Sequence, residues 1–582
     1  MELNEYQRQR LDKARALRGR GIDPYPARCR RTHAVAEVWR WITPPAAAVQ
    51  LRGTVQAGDA AYDLASGRDR LLLLDVPAAF VPPAGEVACG GRLTVTAGGR
   101  LALRLQAWGP ALDPAAFRPL TVAEARALVL PREEAVVLAG RLTGGMRTMG
   151  RAVFVDLEDG TVAAGEHGDF CPHIQLFLNQ AGLGAEAFAA LERDYDPGDF
   201  VEVSGTPFFT RMGQFSLHGT GVTMLAKAVN PPPEKFHGLT DVEKRLRERY
   251  ADLLANEDVR RRFRLRARIL RAARDYLDAR GFLEVETPVL QAIYGGAAAR
   301  PFITHHNQMD QDLYLRISFE LYLKRLVVGM YDRVYEIGHD FRNEGVDRVH
   351  NPEFTQLELY QAYADYHDMM GLYEEMVVHI AEQALGTTRI VYQGQEIDLA
   401  PPWPRVPLLE AIQQASGIDV TAHREPAALL QAIRARGGEV APGATWGKMV
   451  DYLLSTYVEP RVVQPVFFYD YPVELSPLSK RRPDRPEIVE RFEGFAVGME
   501  LCNAFSELND PLDQEERFLA QGRAYAAGDD EAHPMDEDFL NALRYGMPPT
   551  GGLGTGIDRL VMLLTDQTAI REVILFPHMR SL

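Results

Sequence analysis

Residues 341–354 read FRNEGVDRVHNPEF, and this stretch decides how the C-terminal half of the chain is interpreted. The segments on either side of it, RVYEIGHDF (333–341) and FTQLELYQAY (354–363), both have the alternating character of β-strands. Between them lie cations, a carboxylate and aromatic rings, punctuated by a glycine and a proline. The pattern predicts an antiparallel hairpin whose turn faces out of a sheet.

The side chains of this turn suit a nucleoside triphosphate. Arg342, at a strand end, can pair with a phosphate through two parallel hydrogen bonds. Glu344 can accept a hydrogen bond from an amino group, and Phe354 can stack on a flat ring. No GxxxxGKS/T motif occurs in the chain, so a Walker loop is excluded. The turn therefore predicts a triphosphate site of another kind.

Two later segments carry groups that fit the same chemistry. In GLGTGIDR (552–559), glycines precede a helix and let the backbone approach a ligand, with Arg559 in the first helical turns. In MELCNAFSELND (499–510), Glu500 and Glu507 offer the hard oxygen ligands that Mg²⁺ takes when it binds phosphates. Taken singly, each segment has an ordinary alternative, a common glycine turn or surface charge.

Composition limits the class of protein. The chain has 582 residues, which is enough for about three or four domains. Its net charge of −16 argues against nonspecific coating of nucleic acid, although a local basic patch can still bind. No apolar run approaches the ~18 residues of a membrane span, and the N-terminus lacks a signal peptide. We therefore expect a cytoplasmic protein without a membrane segment.

The N-terminal region contains an internal repeat of short alternating strands. AVQLRGTV (48–55) aligns with AVVLAGRL (135–142), and GRLTVTAGG (91–99) aligns with GTPFFTRMG (205–213). Repeated strands of this kind predict two small β-barrels in tandem.

The two copies differ in their aromatic content. The second copy supplies Phe154, Phe208, Phe209 and Phe215, whereas the matching strands of the first are almost purely aliphatic. Exposed aromatic rings on such a barrel stack single-stranded bases. The pattern predicts that only the second barrel binds nucleic acid, and the alternative is that the rings form its core.

The order of the motifs identifies a family. A proline-ended strand near residue 288, the FRNEG…HNPEF turn and GLGTGIDR resemble motifs one, two and three of the class II aminoacyl-tRNA synthetases. Longer segments are similar to the lysyl-tRNA synthetases in particular, and the resemblance covers the chain except for about residues 43–130. These segments are LNEYQRQRLDKARALRGRGIDPYP, KFHGLTDVEKRLRERYADLL, GGAAARPFITHHN, FRNEGVDRVHNPEFTQLELYQAYADYHD, MELCNAFSELNDP and LGTGIDRLVMLLTD.

The resemblance implies an α+β multidomain fold. The parts expected from it are a helical segment (1–42), an anticodon-binding OB-fold (131–229) and a catalytic domain on an antiparallel sheet flanked by helices (230–582). The family plan has no counterpart of residues 43–130, which the internal repeat predicts to be an extra degenerate barrel with its linker, a duplicate of the anticodon-binding domain kept for packing or for binding a partner. The resemblance also implies a homodimer. The implied reaction is activation of L-lysine by ATP to lysyl-adenylate, with Mg²⁺, and transfer of lysine to the 3′ end of lysine tRNA.

The resemblance also implies roles for individual residues. Arg342 and Arg559 are the implied catalytic residues. The residues implied to contact lysine are Gly296, Glu320, Arg342, Glu358, Tyr360, Asn503, Phe505 and Glu507. Those implied to contact ATP are Arg342, Glu344, His350, Phe354, Glu500 and Arg559. Glu500 and Glu507 are the implied metal ligands, and Phe154 and Gln175 are the implied anticodon contacts.

Two positions depart from the family pattern. Some members place an arginine directly before the histidine of HNPEF, where this chain has Val349 and carries Arg348 one residue earlier. On an alternating strand Arg348 would face the other way. Ser318 and Phe319 also replace an Ala-Pro pair that is common in the family, just before Glu320.

Three alternatives remain open at this point. A paralogue that activates lysine for another acceptor would commonly lack the anticodon domain. A nonenzymatic nucleic-acid-binding protein would not need Arg342, Glu344 and Arg559 together. An aspartyl or asparaginyl enzyme binds an uncharged or anionic side chain, for which Glu320 and Glu358 would be badly placed. The residues favour lysine.

Overall fold

A computed structural model describes residues 3–57, 62–77, 80–82, 84–165, 168–170, 172–233, 239–441, 443–526 and 534–580. For residues 163–165, 168–170 and 524–526 only the backbone is described. The chain divides into two compact units, Met1–Thr240 with Tyr250–Glu257, and Asp241–Arg249 with Asp258–Leu582. Within the described ranges, no helix combines the length and apolar character that a membrane crossing requires.

The first unit consists mainly of strands. Its helices are α1 Glu5–Gly19, α2 Val35–Trp39, α3 Val122–Val129, α4 Gln180–Leu183 and α5 Ala185–Asp194. Its strands are β1 Val49–Ala57, β2 Tyr62–Ser66, β3 Asp69–Leu74, β4 Glu86–Val95, β5 Leu101–Gly109, β6 Arg118–Leu120, β7 Val136–Met149, β8 Ala152–Glu158, β9 Ala163–Gly165, β10 Gly168–Phe170, β11 His173–Asn179, β12 Phe200–Phe209 and β13 Phe215–Ala226.

Both predicted barrels form, and they share one topology. In the second, β7, β8, β11, β13 and β12 close into a barrel in which β11 and β13 are parallel. In the first, β1, β2, β3, β5 and β4 pair in the corresponding order, β4 returns to β1, and β3 and β5 are parallel. A single hydrophobic cluster contains buried residues of both barrels. The prediction of OB-like barrels is confirmed.

The repeated glycines explain why the two copies align. A Cβ on Gly53 would lie 2.2 Å from a backbone oxygen of the next strand, and one on its counterpart Gly140 would lie 2.6 Å from the equivalent oxygen. The corresponding distances are 1.9 Å for Gly91 and 2.3 Å for Gly205. Real Cβ atoms do not approach this closely, so these strongly curved strands accept only glycine at each position.

The two barrels form hydrogen bonds with each other through corresponding hairpins, β4–β5 of the first and β12–β13 of the second. The backbone N–H of Leu101 donates to the oxygen of Gly213 (2.8 Å), and the N–H of Phe215 donates to the oxygen of Gly99 (2.7 Å). The repeat alignment makes Gly99 equivalent to Gly213 and Leu101 equivalent to Phe215. The two hydrogen bonds are therefore the same contact made twice, related by a local pseudo-two-fold axis.

The second unit is α+β. Its helices are α6 Val242–Arg247, α8 Glu257–Asp278, α9 Glu320–Val328, α10 Tyr366–Leu385, α11 Leu408–Ser416, α12 Pro426–Ala435, α13 Trp446–Leu453, α14 Pro511–Ala526, α15 Glu537–Arg544 and α16 Ile557–Leu564. Helix α7 Arg249–Ala255, between α6 and α8, belongs mainly to the first unit. The strands are β14 Leu283–Glu284, β15 Leu290–Gln291, β16 Ile303–His306, β17 Gln311–Leu315, β18 Arg333–Phe341, β19 Glu353–Ala362, β20 Arg389–Tyr392, β21 Gln395–Asp398, β22 Arg405–Pro407, β23 Val466–Pro472, β24 Ile488–Ala496, β25 Met499–Ser506 and β26 Thr550–Gly556.

A largely antiparallel eight-stranded sheet organises this unit, in the order β14-β18-β19-β26-β25-β24-β23-β22. The predicted hairpin is confirmed, because β18 and β19 pair antiparallel from Arg333 opposite Gln361 to Phe341 opposite Glu353. Apolar side chains of α8, α10 and α16 pack with the sheet into one hydrophobic core.

Candidate active site

The sheet brings the three predicted segments side by side. Strand β26, which carries the glycines, lies between β19 and β25, with Gln356 opposite Gly556 and Asn503 opposite Gly554. A cavity of about 330 Å³ opens over these strands. Its lining includes every residue predicted to contact lysine, ATP or metal, namely Gly296, Glu320, Arg342, Glu344, His350, Phe354, Glu358, Tyr360, Glu500, Asn503, Phe505, Glu507 and Arg559.

Arg342 lines the cavity directly after the end of strand β18. Its guanidinium carbon lies 5.0 Å from the centre of the Phe354 ring. Its Nε is buried and makes no hydrogen bond within the part of the chain that the structure describes. Burial raises the pKa of the neighbouring Asp340 carboxyl to about 7, and Arg342 opposes this rise. A half-buried guanidinium with an unused donor is suited to an anionic ligand.

Arg559, in the first turn of α16, contacts both strand β25 and the turn between β18 and β19. Its Nη1 donates to Oε2 of Glu500 (3.0 Å), and its Nη2 lies 3.1 Å from Nε2 of His350. Because a guanidinium only donates, Nε2 is the acceptor and Nδ1 carries the proton of the neutral ring. That Nδ1 lies 2.8 Å from Oδ2 of Asp347. The turn and the first helical turn of α16 are thereby joined by directed polar contacts.

Four acidic or phenolic groups crowd the deep end of the cavity. Glu320, Glu358 and Glu507 are all buried there, and Tyr360 donates to Oε2 of Glu358 (3.2 Å). Burial raises the pKa of each of the three carboxyls, that of Glu358 to about 8. Buried carboxyls that lie close together favour their protonated forms unless a cation lies beside them. The arrangement is suited to a ligand with positive charge.

Sequence reasoning missed one member of this cluster. Lys324, one helical turn after Glu320 on α9, is fully buried, and its Nζ lies 2.5 Å from Oε1 of Glu320. The same ammonium forms an ion pair with Glu507. The signal was present as an i, i+4 Glu–Lys pair, but that spacing most often marks an exposed helix face.

The Ser318 departure places a hydroxyl in the site. Ser318 donates to Oε1 of Glu358 (2.8 Å), which also accepts from Nε2 of Gln356 (2.8 Å). The backbone of Gly296, with φ +94°, passes so close that a Cβ there would lie 2.7 Å from Oγ of Ser318. The Ser318 hydroxyl therefore helps to hold Glu358, one of the residues predicted to contact lysine, and an alanine could not do this.

A second residue missed from sequence is Glu493. Its Oε2 accepts from the Tyr471 hydroxyl (2.8 Å), and its Oε1 pairs with Nη2 of Arg491 (2.6 Å). Burial, with the nearby charge of Glu500, raises its pKa to about 7. The pKa of Glu507, by contrast, is raised by burial and by the charges of Glu320 and Glu358. Glu493 precedes Glu500 by seven residues, the same interval that separates Glu500 from Glu507, and this was the available signal.

The remaining polar positions complete the lining. Asn503 accepts a hydrogen bond at Oδ1 from Nε of Arg491 (3.0 Å). Glu344 is exposed at the cavity mouth. Arg348 is exposed and donates to the backbone oxygen of Thr568 (3.3 Å), whereas Val349 lines the cavity. Arg348 is thus not part of the cavity lining, and because residues 342–352 form a turn outside the strands, strand alternation does not decide its direction.

The second barrel carries an aromatic cluster on one face. Phe177 lies 5.1 Å from Phe154, 5.9 Å from Phe208 and 5.4 Å from His218, measured between ring centres. All four rings are half-buried. Beside them, Gln175 accepts a hydrogen bond from the hydroxyl of Ser216 (3.1 Å). Phe177 and His218 were missed, because neither aligns with a distinctive motif.

Two of the four phenylalanines that suggested base stacking belong to the core instead. Phe209 and Phe215 are buried and pack against each other with ring centres 5.5 Å apart. The alternation of the strands explains this, since neighbouring residues such as Phe208 and Phe209 face opposite sides. In the first barrel the strand pairings place Leu74 where the second has Phe177, and Arg104 where it has His218.

An antiparallel sheet with an arginine-bearing hairpin, a glycine-rich strand and a cavity over both defines a class II aminoacyl-tRNA synthetase. Residues 241–580 match the family described as tRNA synthetases class II (D, K and N). A lysine–tRNA ligase from Roseiflexus castenholzii is 50% identical over 580 residues, which are 100% of this chain and 99% of that protein. The chain belongs to the lysine–tRNA ligases.

Other relatives agree. A lysine–tRNA ligase from Chloroflexus aurantiacus is 50% identical over 581 residues, again 100% of this chain and 99% of the relative. One from Pelotomaculum thermopropionicum is 54% identical over 447 residues, 76% of this chain and 86% of the relative. The predicted family, its ligase activity toward lysine and tRNA, and the α+β fold class are confirmed.

Proposed function

We propose that the cavity binds lysine at its acidic end and ATP at its arginine end, so that lysyl-adenylate forms between them and lysine then passes to the 3′ end of lysine tRNA. The observation that carries this proposal is the division of one cavity into a buried carboxylate cluster and an arginine-bearing turn. A buried cation needs carboxylate partners, and phosphates need guanidinium groups.

At the acidic end, Glu320, Glu358 and Glu507 receive the two ammonium groups of lysine. Arg342 takes the lysine carboxylate together with the α-phosphate, because its Nε has no other acceptor among the described residues. The walls around the aliphatic part of lysine are formed by Gly296, Tyr360, Asn503 and Phe505.

At the other end, Glu344 accepts from the adenine amino group, and Phe354 and Arg559 stack on the two faces of the base. His350 lies next to the β- and γ-phosphates. Support comes from the contacts of Arg559, which hold His350 and Glu500 around one space. ATP would then lie in the cavity with its α-phosphate at Arg342.

The family's reaction uses a divalent metal together with ATP, and we assign Mg²⁺ to Glu500 with Glu493. Burial and the charge of Glu500 together raise the pKa of the Glu493 carboxyl, so the two carboxyls are near each other. Carboxylate oxygens are the ligands that Mg²⁺ prefers. Glu507, the other predicted ligand, is paired with Lys324 and belongs to the lysine end. When bound, the metal would neutralise charge on the phosphates of ATP.

No side chain is needed as a nucleophile. A carboxylate oxygen of lysine attacks the α-phosphorus of ATP, the bond to the bridging oxygen breaks, and pyrophosphate leaves. A hydroxyl of the terminal adenosine of tRNA then attacks the carbonyl carbon of the adenylate, and AMP leaves. Arg342 and Arg559 contribute by positioning and by charge, which suffice for in-line attack.

The second barrel (131–229) is assigned to the anticodon, through Phe154 and Gln175 together with Phe177, Phe208 and His218. Half-buried rings grouped on one barrel face support this assignment. The first barrel (43–130) is assigned as a degenerate duplicate kept for packing. Its support is the shared topology, the reciprocal hydrogen bonds with the second barrel and the presence of Leu74 and Arg104 where the second barrel has Phe177 and His218.

Deletion of residues 43–130 tests this assignment. The variant is expected to have a lower melting temperature than the full chain, because buried apolar surface shared by the barrels is lost. Lysylation is expected to be largely intact. A collapse of tRNA affinity with unchanged stability would contradict the packing role.

The remaining parts of the proposal are a catalytic domain spanning 230–582, homodimer formation and a cytoplasmic location, and each rests on membership of the family. Residues 234–238 of this proposed domain lie outside the described residues. Sedimentation equilibrium tests the dimer: a mass twice that of the 65.0 kDa chain is expected.

The decisive experiment is ATP–pyrophosphate exchange with each of the twenty amino acids, with and without total tRNA. Exchange only with lysine, followed by loading of lysine tRNA, is expected. Glu358→Gln serves as a matched variant that should lose lysine affinity while ATP binding persists. Exchange with lysine but no loading of tRNA would indicate a paralogue with another acceptor, and no exchange at all would refute the assignment of the cavity.

A further inference from the structure

Lys324 is the fully buried cation of the acidic end. It lies behind the cavity wall on α9 and is absent from the lining, so it does not reach a bound ligand. Its Nζ bridges Glu320 and Glu507, which come from segments far apart in the chain. The same Nζ lies 5.4 Å from the Phe505 ring and 6.0 Å from the Phe539 ring.

The formal charges at this end can be counted. When all three carboxyls are ionised, Glu320, Glu358 and Glu507 contribute three negative charges and Lys324 contributes one positive charge, which leaves two. The other cation near Glu320 is Arg491.

That guanidinium is already matched, because Arg491 pairs with Glu493 at 2.6 Å. Tyr360, which donates to Glu358, is neutral, since burial raises the pKa of its hydroxyl. Asp340 is the remaining acid near Glu358, and Arg316 lies 3.6 Å from it and 2.6 Å from Glu336. Arg342 also acts on Asp340, so these two acids are faced by two cations. Free lysine carries two ammonium groups, so the residual charge of the pocket and the charge of the substrate's amino groups are equal and opposite.

We infer that Lys324 is a positioning and specificity-determining residue, which holds Glu320 and Glu507 ionised and in place and sets the charge of the pocket to that of lysine's two ammonium groups. The inference rests on the proposed lysine-binding function of the cavity. It adds a residue that never touches substrate and acts through two that do.

Lys324 matters because ionising two neighbouring buried carboxyls is unfavourable in free energy. Without a cation between them, two such groups cannot both stay ionised, and they share a proton instead. Lysine would then have to expel that proton before its ammonium group could be matched. Removal of Lys324 should therefore weaken lysine binding at neutral pH and make it depend more steeply on pH.

The test measures ATP–pyrophosphate exchange by the full chain with Lys324→Met, a neutral side chain of similar length. The KM for lysine is expected to rise at least about 10-fold at pH 7, while the KM for ATP stays within about 2-fold. The logarithm of the lysine KM should fall with pH more steeply than in the wild type, by about one further unit per pH unit. Lys324→Arg, which keeps the charge, should restore the wild-type pH slope.

Arg325→Met is the matched control. It removes a cation from the next position of the same helix, but its partners Asp536 and Asp538 lie outside the cavity lining. The control is expected to lower stability without changing the pH slope. A Lys324→Met enzyme whose lysine KM and pH slope match the wild type would overturn the inference, as would equal effects of the two Met variants.

Two further arms keep the test decisive. If Lys324→Met does not fold, Lys324→Gln supplies a neutral donor of amide type, and if neither folds, a changed pH slope in Lys324→Arg counts against the inference. Wild-type exchange with lysine is measured in the same series. Its absence would refute the proposed function, whereas its presence with an unaffected variant refutes only the role of Lys324.

Discussion

A Cβ atom on Gly552 would lie 1.9 Å from Oε1 of Glu507. The same atom would lie 2.6 Å from Cε1 of the Tyr360 ring. Neighbouring side chains therefore require a glycine at position 552 of strand β26. The absence of a Cβ there leaves room for the Glu507 carboxylate of the lysine end. The glycines of this motif serve the amino-acid pocket as well as the approach to the nucleotide.

Gly552→Ala should therefore damage lysine binding selectively. The methyl group displaces Glu507 or Tyr360, and the loss of one well-placed charged contact corresponds to an increase in lysine KM of about 10-fold or more. The KM for ATP should change little. Gly371→Ala is the control, because nothing lies within 4 Å of a Cβ at that helical position. Equal lysine KM values for the two variants would contradict this account.

The metal assignment separates the three glutamates. Glu500→Gln and Glu493→Gln should each raise the Mg²⁺ concentration needed for half-maximal pyrophosphate exchange, by about 10-fold, since each removes one anionic ligand. Glu507→Gln should leave that concentration unchanged and raise the lysine KM. If Glu507→Gln shifts the Mg²⁺ requirement and Glu493→Gln does not, then the pair predicted from sequence, Glu500 and Glu507, holds the metal.

Lysine should stabilise the protein more at higher pH. Burial raises the pKa of Glu358 to about 8, so between its ordinary value and about 8 the ligand-free folded state holds a proton that the unfolded state has lost. This stabilising contribution is lost as the pH rises through about 8. Lysine favours the ionised carboxyl and must release the proton, so its affinity increases over the same range.

The measurement is the lysine-induced increase in melting temperature at about pH 6, 7 and 8, at one lysine concentration. The increase should grow with pH, and Glu358→Gln should remove a large part of the trend. Norleucine, which lacks the ε-ammonium group, is the control ligand. An increase that does not change with pH would mean that the acidic end is ionised before lysine binds, and would contradict this prediction.

Transfer RNA binding should depend on the face of the second barrel alone. Phe177→Ala removes the ring at the centre of the aromatic cluster, and the loss of one stacked base, at ~1–3 kcal/mol, corresponds to an increase of about 10-fold in the KM for tRNA. Exchange without tRNA should be unchanged. Leu74→Ala, at the corresponding position of the first barrel, is the matched control and should leave the KM for tRNA unaltered.

The sequence determined the identity of the elements. Alternation fixed the hairpin strands on either side of 341–354, because a half-buried strand must alternate polar and apolar residues. The repeated glycines fixed two barrels, because strands that cross so closely admit no side chain there. Motifs read in order were enough to collect the residues that line one cavity, since the segments that carry them become neighbouring strands of one sheet.

Tertiary structure decided how the carboxylates are divided between the ligands. Glu493, Glu500 and Glu507 follow one another at equal intervals in sequence, and spacing alone cannot show which two act together. The fold pairs Glu507 with a buried lysine and places Glu493 near Glu500. Likewise, Phe208 and Phe209 are adjacent in the chain and face opposite sides of their strand. Burial and charge pairing arise between distant segments, so they are decided only when the sheet assembles.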